Sequence, residues 1–264
     1  LDTTICINDT IQLVLDTSVV PGISPITYLW ASHSSISDST IYNPEVYPLD
    51  SMDYTIIATD SLGCIDYDTV RVNVVDLIVD IGNDTSICIG AGMQFSPDTS
   101  SFEGNSPYIY DWTPYTNVDD SSVFNPVVSS NISDTFILNL KVTDSLGCVV
   151  NDSINIDIID LTVDAGNDTL MCFGNTVQLF VDTTIVPGIM PYTYSWSSPD
   201  SLNDPNIYNP VVSNRDTIMY TVTVTDMIGC VTTDSVLVDV IDFTIDAGLD
   251  TAICINDTIV LDLD

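Results

Sequence analysis

Basic residues are almost missing from this 264-residue chain: Arg71, Lys141 and Arg215 stand against 38 acidic residues, a formal net charge of −35. Such an acidic excess keeps a chain disordered only when apolar residues are scarce. Here 45% of residues are hydrophobic, so a folded chain carrying its acid on the surface is expected. The same field repels phosphate backbones and anionic headgroups, which excludes nucleic acid and direct membrane insertion. It suits a medium rich in salt and divalent cations. Histidine occurs once, as His33, and no Cys-x-x-Cys is present, so no zinc set can be assembled. No apolar run reaches the roughly 18 residues that cross a bilayer. No signal peptide and no initiating Met are visible, and both ends read as cuts through a longer polypeptide. Gly-rich phosphate loops and a Gly-x-Ser-x-Gly elbow are missing, and no carboxylate pair stands out among so many. The chain is not expected to be an enzyme.

What is present is repetition. Cys6, Cys88, Cys172 and Cys254 are spaced by 82, 84 and 82 residues, and Cys64, Cys148 and Cys230 by 84 and 82. Trp30, Trp112 and Trp196 keep the same step. Each unit opens on Asp-Thr before its first Cys, passes Tyr-x-Trp, then Tyr/Phe-Asn-Pro, and closes on Gly-Cys and an alternating run such as Asp234 to Val240. Period-two alternation rich in Val, Ile, Thr and Tyr reads as β-strand, and no helical period is found. About seven short strands with a Trp on the third is an immunoglobulin-like plan. The reading is all-β, with tandem immunoglobulin-like (PKD-like) β-sandwich repeats over residues 1–79, 80–163 and 164–245, and a fourth begun at 246–264. The Trp residues are read as core, and Asn43-Pro44 and its copies as turns.

With these motifs, the chain resembles the PKD-like and Ig-like modules of giant surface proteins from gliding Bacteroidota. Asp164 to Thr169 with Cys172-Phe173-Gly174 and Val177-Gln178-Leu179 looks like that family's opening strands. Tyr220 to Asp226 with Gly229-Cys230 and Asp234-Ser235-Val236 looks like its closing hairpin. The resemblance covers the whole chain and implies cell-surface placement and export by type IX secretion. It extends to the extracellular grappling-hook filaments of marine predatory members of that group. One departure is that the Trp is not followed by the Gly-Asp-Gly turn of ordinary PKD domains.

Two cysteines per repeat favour disulfides in an oxidising compartment. The simplest pairing lies within each repeat, Cys6–Cys64, Cys88–Cys148 and Cys172–Cys230, with Cys254 pairing outside the segment. Geometry cuts against it: the two cysteines sit near turns at opposite ends of a sandwich, whereas a disulfide needs Cα atoms within about 7 Å. A staggered set, Cys6–Cys148 and Cys88–Cys230, bonds to a neighbouring chain, and free thiols stay open as alternatives.

Aspartates four apart mark each junction: Asp76, Asp80 and Asp84; Asp160, Asp164 and Asp168; Asp242, Asp246 and Asp250. Hard oxygen ligands in such numbers fit Ca²⁺, the one cofactor considered, although no Asp-x-Asp-x-Asp-Gly loop is present. The plainer reading makes them the solvent face of strands and turns. Ser61, Ser145, Thr169, Thr217 and Ser235, each between Asp and an apolar residue, resemble Bacteroidota O-glycosylation sites, while Asn-x-Ser/Thr at six asparagines reads as chance. The loops at 17–26 and 183–192 are alike, and the middle repeat departs at 96–107. Repeated surfaces suit a shaft giving length, stiffness and resistance to force, with copies of itself or other surface proteins as partners. The alternatives are an adhesive module for prey or host glycans, or a non-catalytic appendage of a secreted hydrolase.

Overall fold

The computed structural model of the chain describes residues 2–16, 22–98, 104–182, 187–246, 250 and 252–260. Parts of the three loops compared above (17–21, 99–103 and 183–186) lie outside the described residues. Six strands form first: β1 (Thr3–Cys6), β2 (Ile11–Gln12), β3 (Thr27–Trp30), β4 (Glu45–Val46), β5 (Met52–Thr59) and β6 (Ile65–Val75). The set recurs as β7 (Thr85–Cys88), β8 (Gly92–Gln94), β9 (Ile109–Thr113), β10 (Val127–Ser129), β11 (Thr135–Thr143) and β12 (Val149–Ile159). It recurs again as β13 (Thr169–Cys172), β14 (Val177–Gln178), β15 (Thr193–Trp196), β16 (Val211–Val212), β17 (Ile218–Thr225) and β18 (Val231–Ile241).

Each set makes a four-stranded sheet, ordered β1-β6-β5-β3, β7-β12-β11-β9 and β13-β18-β17-β15, faced by a two-stranded one, β2-β4, β8-β10 and β14-β16. The class is all-β, with tandem Ig-like sandwiches. Six strands per set stand where about seven were expected, because the stretch after each Trp is taken up by turns and isolated bridges such as Ile36 to Val46. The described residues group into two compact units. One holds Leu1–Thr85, Ala91–Ser130 and Thr135–Asp157, the other Ser86–Gly90, Asn131–Asp134 and Ile158–Asp264.

Alternation places the core. Along β11 and β12, Leu138, Leu140, Val142, Ile154, Ile156 and Ile158 are buried while their neighbours face outward. Trp30, Trp112 and Trp196 are buried, and each indole N–H donates to a carbonyl eleven residues on, that of Ile41, Val123 and Ile207, at 2.9–3.0 Å. Each tryptophan thereby buries a large apolar surface and leaves no donor unsatisfied. In the first and third sets a buried Tyr hydroxyl meets a Ser hydroxyl, Tyr54 with Ser35 and Tyr220 with Ser201; the second set has Leu138 instead. His33 touches Ser35 at 2.7 Å, but Ser201 makes the same Tyr pair with no histidine, so the serine belongs to the core.

One pairing matters for everything below. The first strand of a set runs parallel to its last: Cys6 lies beside Val75 in the β1–β6 register, and Cys172 beside Ile241 in β13–β18. The first cysteine therefore sits at the end where the chain leaves its sheet. Truncating Trp112 to Ala is expected to cost about 3–5 kcal/mol, read as a lower urea midpoint at unchanged slope.

The stapled joint as candidate functional site

The structure holds two disulfides, Cys6–Cys148 and Cys88–Cys230, with Cα atoms 5.3 and 5.4 Å apart. The intra-repeat pairing is thereby corrected. Cys64 directly precedes the 11 residues of β6, and Cys6 lies beside that strand's last residue. At about 3.3 Å per residue, a strand of that length separates the two by roughly 33 Å. Cys172 and Cys230 lie at the two ends of β18 in the same way. Parallel pairing sends the first cysteine to the exit end of its sheet, where the hairpin turn of the following set comes within reach. Cys64, Cys172 and Cys254 are free and exposed.

That hairpin turn is built identically each time. Glycine at positive φ (Gly63, Gly147, Gly229) closes it, a conformation that a side chain disfavours. The aspartate that opens it caps its interior: one Asp144 oxygen accepts from the N–H of Leu146 and Cys148, and the other from that of Asn105 in the loop before β9. Asp226 does the same for Ile228, Cys230 and Ile189, and Asp60 for Leu62, Cys64 and Ile23. The Cys64 N–H, followed by that of Ile23, holds the Asp60 carboxyl below the usual carboxylate range. Asp144 and Asp226 are buried together with Cys148 and Cys230; Asp60 is half-buried.

Beside each disulfide an apolar plug enters a glycine cradle. Leu77, two residues beyond the last of β6, is buried where a Cβ on Gly104 would lie 2.7 Å from its Cδ1 and 3.0 Å from the Tyr108 ring. Leu161 stands likewise to Gly188 and Tyr192, at 2.6 and 3.0 Å. The Tyr108 and Tyr192 hydroxyls donate to the Gly104 and Gly188 carbonyls and fix the loops. No side chain larger than hydrogen fits there without moving the leucine. Sequence reasoning passed over these residues. Their signal was the shared period of Gly22, Gly104 and Gly188 and of Leu77, Leu161 and Phe243.

The junction aspartates serve their own sheets. Asp84 accepts from the N–H and side-chain amide of Asn155, which hold its carboxyl low, and Asp168 accepts from the Leu237 N–H. Asp80 and Asp164 cap the N–H two residues on, those of Gly82 and Gly166, while Ile81 and Ala165 donate to Asp152 and Asp234 on the last strands. Stability drawn from Asp60 and Asp84 is present above the ordinary carboxylate range near about pH 4 and is lost as pH falls through their depressed folded values. No three of His, Cys, Asp and Glu come together to hold a metal among the described residues; Asp76, Asp160, Asp242, Asp246 and Asp250 are not brought into any such group. Ser61, Ser145, Thr217 and Ser235 are exposed and Thr169 is half-buried. Thr217 donates to Asp239, and Ser235 pairs with Thr221.

No family model matches the sequence, and no curated protein matches it. In structure it is similar to the three N-terminal domains of the bacteriophage RB49 highly immunogenic outer capsid protein, at 12% identity and a TM-score of 0.49, over 89% of this chain and 95% of that one. It is also similar to mouse cadherin-23 EC22-24, at 15% identity and a TM-score of 0.30, over 92% and 96%. Against the human desmocollin-1 ectodomain the identity is 12% and the TM-score 0.27, and the match covers 88% of this chain but 57% of that one. The fold assignment rests on the sheets described above.

Replacing Asp144 with Ala strands three backbone donors beside a buried cysteine, and is expected to destabilise by about 3 kcal/mol, measured by chemical denaturation of the oxidised chain. Calcium and magnesium at equal ionic strength are expected to raise the melting temperature alike, as screening of the negative charge requires; a saturable rise specific to calcium would restore the calcium reading.

Proposed function

We propose that this chain is a structural repeat segment of an extracellular filament or surface adhesin, whose task is to supply length and stiffness and to withstand pulling. The observation that carries it is the overlap of the two disulfides. Each spans 142 residues, and Cys88 lies inside the Cys6–Cys148 loop while Cys148 lies inside the Cys88–Cys230 loop. From Cys6 to Cys230 the backbone path is 224 residues (230 − 6). Through either disulfide it is 82 (230 − 148, or 88 − 6). Two covalent routes of equal length run side by side, and both must be drawn out before either breaks. Bonds within each repeat would create no such parallel route across a junction.

The oxidised joints support an oxidising compartment, and hence a place outside the cytoplasm. The repeat plan over residues 1–79, 80–163 and 164–245 and the likeness to Bacteroidota surface modules support a cell-surface protein carried by type IX secretion. Copies of the chain or other surface proteins are the partners this reading calls for.

Single-molecule pulling tests it. With disulfides intact, the released length between Cys6 and Cys230 should correspond to 82 residues. With a reducing agent it should grow by the difference, 142 residues (224 − 82), or about 500 Å at full extension. Equal lengths in both conditions would remove the mechanical reading.

A further inference from the structure

The joint described above is made twice, and each outer end of the chain exposes one half of it. On the first set the socket is open: Gly22, Ile26, Ala58, Asp60 and Cys64 surround a pocket of about 160 Å³. Its loop is already held in shape by the Asp60 bond to Ile23 and by the Ser61 N–H donating to the Ile23 carbonyl, as Ser145 donates to Asn105 and Met227 to Ile189 in the filled sockets. What differs is the occupant: a Cβ on Gly22 would meet only Asp60 and Ile26. On the third set the plug is bare. Cys172 lies beside Ile241, and Phe243, in the place of Leu77 and Leu161, is 81% exposed where those leucines are 6% exposed. Ile245, in the place of the buried Val79, is also exposed.

The two halves match in size. The open socket has Ile26 where the filled ones have Tyr108 and Tyr192, and the bare plug is Phe where the seated ones are Leu. A smaller wall thus faces a larger plug. The sequence gives the same order: residues 250–259 repeat residues 2–11 at nine of ten positions, differing only at Thr4 and Ala252, so a unit of the first type follows the third.

We propose that Phe243 and Cys172 of one copy dock into the Gly22–Ile26 pocket and bond to Cys64 of a second copy, so that the chain joins head to tail through a third joint of the kind it already contains. The bond forms by thiol–disulfide exchange with a small disulfide such as oxidised glutathione. One thiolate attacks it and releases one glutathione thiol; the other thiolate then attacks the mixed disulfide and releases the second. Two protein thiols are oxidised and one glutathione disulfide is reduced. This inference rests on the stapled reading above but fails separately from it, since one digest maps the internal and the new bonds.

The test uses the full chain with Cys254→Ser, incubated with oxidised and reduced glutathione. The expected result is a ladder of linked multimers on a non-reducing gel, with a Cys64–Cys172 peptide found by mass spectrometry beside intact Cys6–Cys148 and Cys88–Cys230. Phe243→Asp should slow the ladder by about tenfold or more, because docking raises the effective thiol concentration. It should leave the reaction of Cys64 and Cys172 with a small thiol reagent unchanged. Monomer alone, a statistical mixture with Cys64–Cys64 and Cys172–Cys172 bonds, or an equal rate for Phe243→Asp would each overturn the proposal. Loss of the two internal bonds would instead overturn the stapled reading.

Discussion

Parallel pairing of the first strand with the last governs the chemistry of this chain. A strand antiparallel to β6 would return Cys6 to the end where Cys64 waits, and each sandwich could close on itself. Because β1 runs with β6, its cysteine arrives beside Val75, where the chain departs for the next set. The choice is made by a few polar contacts. Asp2 accepts from the Arg71 N–H, Asp84 from Asn155 and Asp168 from Leu237, anchoring each opening segment on its last strand. Aspartate at these positions is spent on backbone donors, a use that needs neither a metal nor a counter-charge.

Repetition then does the rest. The Asp-x-x-Gly-Cys turn shapes the receiving loop through the same carboxylate that orients the cysteine N–H, so the docking cradle and the bonding group are set by one residue. Leucine and disulfide act on the same joint by different means. The first removes apolar surface from water, and the second restricts the unfolded chain.

Much of this was legible in the residues. The period of the cysteines and tryptophans and the alternation along Thr135–Thr143 and Val149–Ile159 point to the sheets directly, since one buried face imposes a period of two. The disulfide partners were not fixed, because spacing alone is silent on which end of a sheet a strand reaches. Only the objection of distance pointed away from pairing within a repeat, and the parallel register of Cys6 and Cys172 turns that objection into a structure. Gly104 and Gly188 escaped notice for a related reason: a glycine in a loop reads as a turn former, and its missing Cβ gains meaning only when Leu77 or Leu161 is seen against it.

The overlapping bonds also change what a protease can accomplish. Cleave one peptide bond between Cys6 and Cys88 and the two ends stay joined through Cys148. Cleave between Cys88 and Cys148 and both disulfides bridge the gap; cleave between Cys148 and Cys230 and Cys88 holds the far end. No single nick in that span can sever the molecule, so damage by an extracellular enzyme must strike twice, in the right places, before anything is lost.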